Sequence, residues 1–153
     1  MKLSTRGRYA VRALLDLVRH QSTAPIPLKD VAWRQGISLY YLEQIVTPLV
    51  TAGVVRSSRG ASGGIRLARP PQEIRLSEIL RLVEGSLVPV DCVATPEICS
   101  RSKLCVTREV WAELYRAISA VLDSTTLQDL VKRQERKEQI EGSAVKENAR
   151  RED

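Results

Sequence analysis

Residues 54–69 read VVRSSRGASGGIRLAR, and there the hydrophobic period of the chain changes. Two short alternating runs, about 54–58 and 64–68, flank a turn that carries Gly60, Gly63 and Gly64, which predicts a β-hairpin. So many glycines in one turn point to unusual backbone angles or to close approach of another group. Upstream, the period is helical. STRGRYAVRALLDLVRH predicts a first helix capped by Ser4, with Ala10, Leu14, Leu17 and Val18 on its buried face and Val11 and Leu15 widening it. PLKDVAWRQG predicts a short second helix, opened by Pro27 and closed by a left-handed Gly36. SLYYLEQIVTPLVTAG predicts a third, capped by Ser38 and stopped at Gly53, with a kink at Pro48, which lacks a backbone donor.

Three helices followed by a Gly-rich hairpin is the order of a winged helix-turn-helix. The gap from Gly36 to Ser38 matches its tight turn, after which the N-terminal residues of the next helix enter the major groove. Here those residues are Ser38, Tyr40, Tyr41, Glu43 and Gln44. Gln can read adenine, and Glu can accept from cytosine. Arg56, Arg59 and Arg66 arm the hairpin, and an arginine at its tip can enter a narrow minor groove. Charge agrees. Residues 1–70 carry 11 basic and 3 acidic side chains, against 13 and 15 in residues 71–153. The positive field therefore belongs to the first half and suits a polyanion. The competing explanation is a helical bundle with a solvated basic face, on which Arg19, Arg34 and Arg69 are ordinary surface residues.

The second half opens with a predicted helix, LSEILRLVEG, capped by Ser77. Next comes DCVATPEICSRSKLC, without helical period, holding all three cysteines: Cys92, Cys99 and Cys105. TREVWAELYRAISAVLD then predicts a long amphipathic helix with Val110, Trp111, Leu114, Ile118, Val121 and Leu122 in one stripe. TTLQDLV starts a short last helix, with Thr125 and Gln128 spaced as a capping box. Residues 132–153 are charged and nearly without apolar residues, which predicts a frayed or disordered tail. Phe is absent, so the core must be built from Leu, Val, Ile and Ala. No export signal or membrane span is visible, which predicts a cytoplasmic protein with reduced thiols and no membrane partner. In that setting clustered cysteines suit metal or redox chemistry. Gaps of six and five residues are not zinc-finger spacing, and a long loop can instead hold an iron–sulfur cluster by its thiolates. Idle thiols and a zinc site with one further donor remain alternatives. An enzyme is disfavoured: there is no Cys-x-x-Cys, and a single histidine builds no catalytic set.

KLSTRGRYAVRALLDL, GISLYYLEQIVTPLVTAGVVRSSRGASGGIRLAR and the three cysteines before VTREVW resemble the bacterial Rrf-type winged helix-turn-helix regulators, the family of IscR, NsrR, RirA and CymR. The likeness runs from about Met1 to Val131. It implies a mainly α fold with a small hairpin. The expected organisation is a DNA-binding domain over 1–85, a cluster-binding loop over 86–106, a dimerisation helix with a short following helix over 107–131, and the tail. It implies a transcription regulator, expected to be a repressor, working as a homodimer on double-stranded operator DNA. Ser38, Tyr41, Glu43 and Gln44 then face bases and Arg59 enters the minor groove. Gly60, Gly63 and Gly64 of the wing, with Ser4 and Arg6 of the first helix, complete the expected DNA contacts. Cys92, Cys99 and Cys105 become the ligands of an iron–sulfur cluster, 2Fe–2S or 4Fe–4S. The histidine that IscR-like members place three residues after the last cysteine is Arg108 here, and the carboxylate that NsrR-like members supply corresponds to Arg8. The fourth ligand is thereby left open. Members such as CymR imply the alternative of a cofactor-free regulator controlled by a protein partner.

Overall fold

In the computed structural model, residues 3–21, 24–60 and 62–149 are described. The order is α1 (Thr5–Arg19), α2 (Leu28–Gln35), α3 (Leu39–Thr51), β1 (Val55–Ser58), β2 (Gly64–Leu67), α4 (Leu76–Glu84), α5 (Asp91–Ala94), α6 (Val106–Ser124) and α7 (Leu127–Ala149). The expected mainly α fold with one hairpin is what forms. Ala10, Ala13, Leu14 and Leu17 recur at helical spacing and turn α1 into the centre of the core. Leu42, Ile45, Val46 and Leu49 of α3, Val31 of α2, Val54 and Val55 beside the hairpin, and Ile74 and Ile79 around α4 close over them.

Two polar devices fix the helices. Ser4 caps α1 by accepting from the Gly7 N–H at 3.3 Å. Glu84, at the end of α4, then takes the Ser4 hydroxyl at 2.7 Å and the Ser4 and Gly7 amides at 3.0 Å each. A carboxylate at the positive end of a helix is favourable on electrostatic grounds as well. Gly7 makes room for it, since a Cβ there would stand 2.2 Å from Glu84 Oε1. The second device joins α1 to α2. Asp16, 3% exposed, receives Arg34 Nη2 at 2.6 Å, Arg34 Nε at 3.0 Å and Gln35 Nε2 at 2.9 Å. Arg12 in turn grips Gln35 through its carbonyl at 2.7 Å and its side chain at 3.2 Å. The buried carboxylate that interrupts the apolar stretch of α1 is therefore the anchor of α2.

α3 runs through Pro48 without ending. Proline denies a donor to the carbonyl four residues back, which belongs to Gln44. Arg6 Nη2 supplies one at 3.2 Å. β1 and β2 pair antiparallel, with Val55 opposite Leu67, Arg56 opposite Arg66, Ser57 opposite Ile65 and Ser58 opposite Gly64. Ile26 adds to the other edge of β2, exchanging backbone hydrogen bonds with Ile65 at 2.9 and 2.8 Å.

Several sequence expectations are corrected. Ser77 is not a cap: Arg75 holds that position, and Ser77 is buried inside the first turn of α4. The capping box lies one residue later than expected, between Thr126 and Asp129, whose side chains and amides bond reciprocally at 2.7–3.2 Å. Thr125 instead donates to the Val121 carbonyl. The cysteine stretch contains a short helix, α5, and a 3-10 turn over Pro96–Ile98. Leu127 is fully buried with the N-terminal core and Arg75 bridges to Thr126, so the start of α7 packs onto that core. The expected tail is helical as far as Ala149, and residues 150–153 lie outside the described part. Lys, Arg, Gln and Glu are good helix formers even where nothing packs on them. Glu138 also pairs with Arg19 of α1 at 2.8 Å, and Gln134 reaches Glu138 one turn on.

Candidate nucleic-acid interface and cysteine loop

Ser38 caps α3 by accepting from the Tyr41 amide at 3.3 Å and stays exposed at the tip of the helix. Glu43 and Gln44 are exposed one turn further on. Tyr41 is placed differently from the expectation. Half-buried, its ring meets Tyr9 edge-on, centroids 6.2 Å apart, between α1 and α3. Tyr40 is 73% exposed. Tyr40, Glu43, Gln44 and Thr47 fall at i, i+3, i+4 and i+7 and form one exposed stripe. That spacing was available in the sequence and adds Tyr40 to the exposed residues of α3.

Glu43 and Arg59 line one groove of about 580 Å³ between α3, the start of α2 and the hairpin. Lys29, Ser57, Ser58, Gly60, Gly63 and Gly64 share it. The structure thus gathers the expected wing residues and the expected acidic reader on one side. The glycines serve the chain itself. Gly60 has φ +102°, and a Cβ on Gly63 or Gly64 would meet backbone oxygen of Ser58 at 2.5 Å or of Ile26 at 2.3 Å. Close approach is therefore intramolecular.

Ser4 and Arg6 are not brought to this groove. The Ser4 hydroxyl is held by Glu84, and Arg6 is turned onto the Gln44 carbonyl, so both shape the interface from behind. Other arginines are likewise engaged: Arg8 with Thr5, Arg12 with Gln35, Arg19 with Glu138, Arg34 with Asp16 and Arg69 with Glu78. Among the described residues of the domain, Arg56, Arg59 and Arg66 are the arginines without a protein partner. All three sit on the hairpin, which concentrates the free positive charge there.

Cys92 lies in α5, Cys99 after the 3-10 turn, and Cys105 at the N-cap of α6. All three are free and half-buried. Thr107 Oγ1, 3.2 Å from Cys105 Sγ, and the Arg108 amide hold the Cys105 thiol below its usual range. A cavity of about 780 Å³ opens beside Cys105, lined by Ser100, Arg101, Lys103 and Leu104. Three thiolates are the right donors, in kind and number, for an iron–sulfur or zinc centre. The described residues nevertheless gather no group of three or more His, Cys, Asp or Glu side chains in metal-holding geometry. Arg108, at the place of the expected histidine, donates from Nε to the Cys92 carbonyl at 2.8 Å. It clips α6 to α5 and cannot ligate. His20, the single histidine, is far in sequence and bound at the end of α1 to the Asp16 carbonyl at 2.9 Å.

α6 contains no buried residue, and Val110, Trp111, Leu114 and Val121 of its apolar stripe stand exposed. Among the described residues no helix is long and apolar enough to cross a membrane.

The chain matches the Rrf2 family, described as iron-dependent transcriptional regulator, over residues 3–133. It is 42% identical over 131 residues to the HTH-type transcriptional regulator IscR of Aliivibrio salmonicida, covering 86% of this chain and 77% of that one. Two solved structures superpose well. CymR, described as the global cysteine regulator of B. subtilis, gives a TM-score of 0.72 at 39% identity, over 86% of this chain and 97% of that one. T. potens IscR gives 0.71 at 42% identity over 88% of each. These relatives are regulators of transcription and not enzymes. On the family match and on both kinds of relative, the chain belongs to the Rrf2 family of transcriptional regulators.

Proposed function

We propose that the protein is a homodimeric repressor that reads operator DNA with the start of α3 and with the hairpin wing. Its DNA affinity is set by what the three-cysteine loop holds, an iron–sulfur cluster on Cys92, Cys99 and Cys105. The observation that carries the DNA half is the groove lined by both Glu43 and the unpaired Arg59 beside the exposed start of α3. The sensing half is supported by three free thiols in one loop and by similarity to IscR proteins. Dimerisation is supported by the unburied stripe of α6. A regulator that reads operator DNA in this way works in the cytoplasm.

An iron–sulfur cluster, when bound, contributes sensitivity to iron supply and to oxidants. The chain's own part is to link that loop to the DNA-binding domain. α6 starts one residue after Cys105, and Arg108 ties it back to Cys92. At its other end, Asp123 is held by Arg75 through its carbonyl and by Arg81 at 3.6 Å. Both arginines belong to the α4 segment, which ends on the Glu84 cap of α1. A shift of α6 therefore meets the helix that positions the reading head.

A second reading has its own observation. The clip from Arg108 to Cys92 and the ungathered thiols suit a cofactor-free regulator answering to a protein partner or to thiol oxidation, as does the similarity to CymR.

The DNA half is tested by selecting bound duplexes from a random pool. A symmetric dimer is expected to select an inverted repeat with half-sites about one helical turn apart. Glu43→Ala is expected to widen the selected set while retaining binding, because a carboxylate in the major groove rejects phosphate and unpartnered acceptors. An unchanged consensus removes Glu43 from the readers, and absence of any selected sequence for the wild type refutes the DNA half.

A further inference from the structure

We propose that Arg56 and Arg66 form a phosphate clamp on the wing, in a cavity separate from the reading groove. The proposal rests on the DNA-binding function and adds a second contact surface to it.

The two residues are direct partners in the hairpin register. Ile65 spends both its N–H and its C=O on Ile26, so the ladder bonds between β1 and β2 fall at the neighbouring pair. Arg56 and Arg66 thus face each other with Cα atoms about 5.5 Å apart and side chains on one pleat face. Ser58 and Gly64, the next pair on that face, line the groove that holds Glu43 and Arg59, together with Ser57 and Ile65 of the other face. Like charges directly opposite in a hairpin destabilise it. The usual remedy is a carboxylate between them, and among the described residues neither arginine has one.

Both rim a cavity of about 330 Å³ at the end of α1, with Gln21, Leu17 and Ile26 as further walls. No carboxylate is among its described lining residues. Two arginines and a glutamine around a space without acidic groups suit a tetrahedral oxyanion. Arginine binds phosphate through paired N–H donors, and the bound anion would convert the cross-strand repulsion into attraction. The chemistry is that of a phosphate group, and its source is either the backbone of the DNA on which the wing sits or free phosphate. The DNA backbone is favoured by position. Arg59 in the turn and the Arg56–Arg66 pair within the ladder lie along one hairpin, so a wing lying on DNA presents unpaired positive charge at two places along its length.

The test compares wild type, Arg56→Gln, Arg66→Gln and the double variant on the selected duplex and on an unrelated one, over a range of salt. The double variant is expected to bind both duplexes more weakly by the same factor, roughly tenfold, and to lose about 0.9 from the slope of log affinity against log salt for the phosphate released. Each single variant is expected to melt at or above the wild-type temperature, because the like-charge opposition is gone. In a second arm, inorganic phosphate at constant ionic strength is added to protein without DNA. A melting temperature raised in wild type but not in the double variant, with DNA binding unaltered, assigns the clamp to free phosphate. Unchanged affinity and slope together with no response to phosphate overturn the clamp. So does a marked fall in melting temperature of the single variants, which would make the arginines structural. If Arg59→Ala still loses DNA affinity while the double variant does not, only the clamp has failed. A wild type that binds no duplex sinks the DNA reading itself.

Discussion

Asp16→Ala is expected to lower the unfolding free energy by about 3 kcal/mol, the low end for breaking a buried ion pair, because Arg34 keeps some contact with water. For a domain of this size that corresponds to a melting temperature lower by roughly 6–12 °C. The loss strands the Arg34 fork and the Gln35 amide and frees the hinge between α1 and α2. It has a pH signature. Burial alone would raise the Asp16 pKa, but hydrogen bonds from Arg34 and Gln35 and the charges of Arg34 and His20 outweigh it and hold it below the usual 3.8. A depressed carboxylate adds stability that is complete above the unfolded pKa and is lost as pH falls through the folded one. The gap in melting temperature between wild type and variant should therefore be constant near neutrality and narrow below about pH 4. A constant gap down to pH 2, or no gap at pH 7, contradicts the anchor.

Arg59→Ala is expected to weaken binding to the selected duplex by about 1–3 kcal/mol and to erase a preference for A/T-rich sequence where the wing lies. The cause is local: Arg59 shares the groove with Glu43 and has no partner in the described protein, so nothing else holds its charge. Equilibrium titration of duplexes differing only in those base pairs measures both effects. Equal loss on A/T-rich and G/C-rich variants would reduce Arg59 to a general phosphate contact. No loss at matched salt would remove the wing from the interface.

The parts of the fold that were legible are those whose signals are local. Ser4, Ser38 and Gly36 act within one turn of their helix, and the hairpin announces itself by a change of period over a few residues. What escaped depends on distant partners. Glu84 caps a helix that begins almost eighty residues earlier, and nothing near Gly7 in the sequence asks for it. Arg6 and Arg34 look like surface cations until Pro48 exposes a carbonyl and Asp16 is buried. The tail looked disordered because it lacks core residues, yet helix propensity and the Arg19–Glu138 pair suffice to order it. α3, the arginine-bearing hairpin and the cysteine-bearing segment lie where the local signals of the sequence put them. The packing of Tyr41 against Tyr9 of α1 is a contact between distant segments that nothing near Tyr41 announces. The geometry of three thiols in a loop is not written in their spacing, since a loop takes its shape from what it binds.

Control through the cysteine loop is tested by one measurement: affinity for the selected duplex of protein purified without oxygen, with its iron and acid-labile sulfide determined, for wild type and for the variant with Cys92, Cys99 and Cys105 all replaced by Ala. The expected result is a coloured wild type containing iron and sulfide, a colourless variant, and an affinity for the same duplex that differs between them by about 1–3 kcal/mol, a usual size for coupling between sites. The variant should keep its melting temperature, since none of the three thiols is in the core. A wild type without iron and sulfide, or equal affinities for the two proteins, would contradict control of DNA binding through the cysteine loop by a cluster.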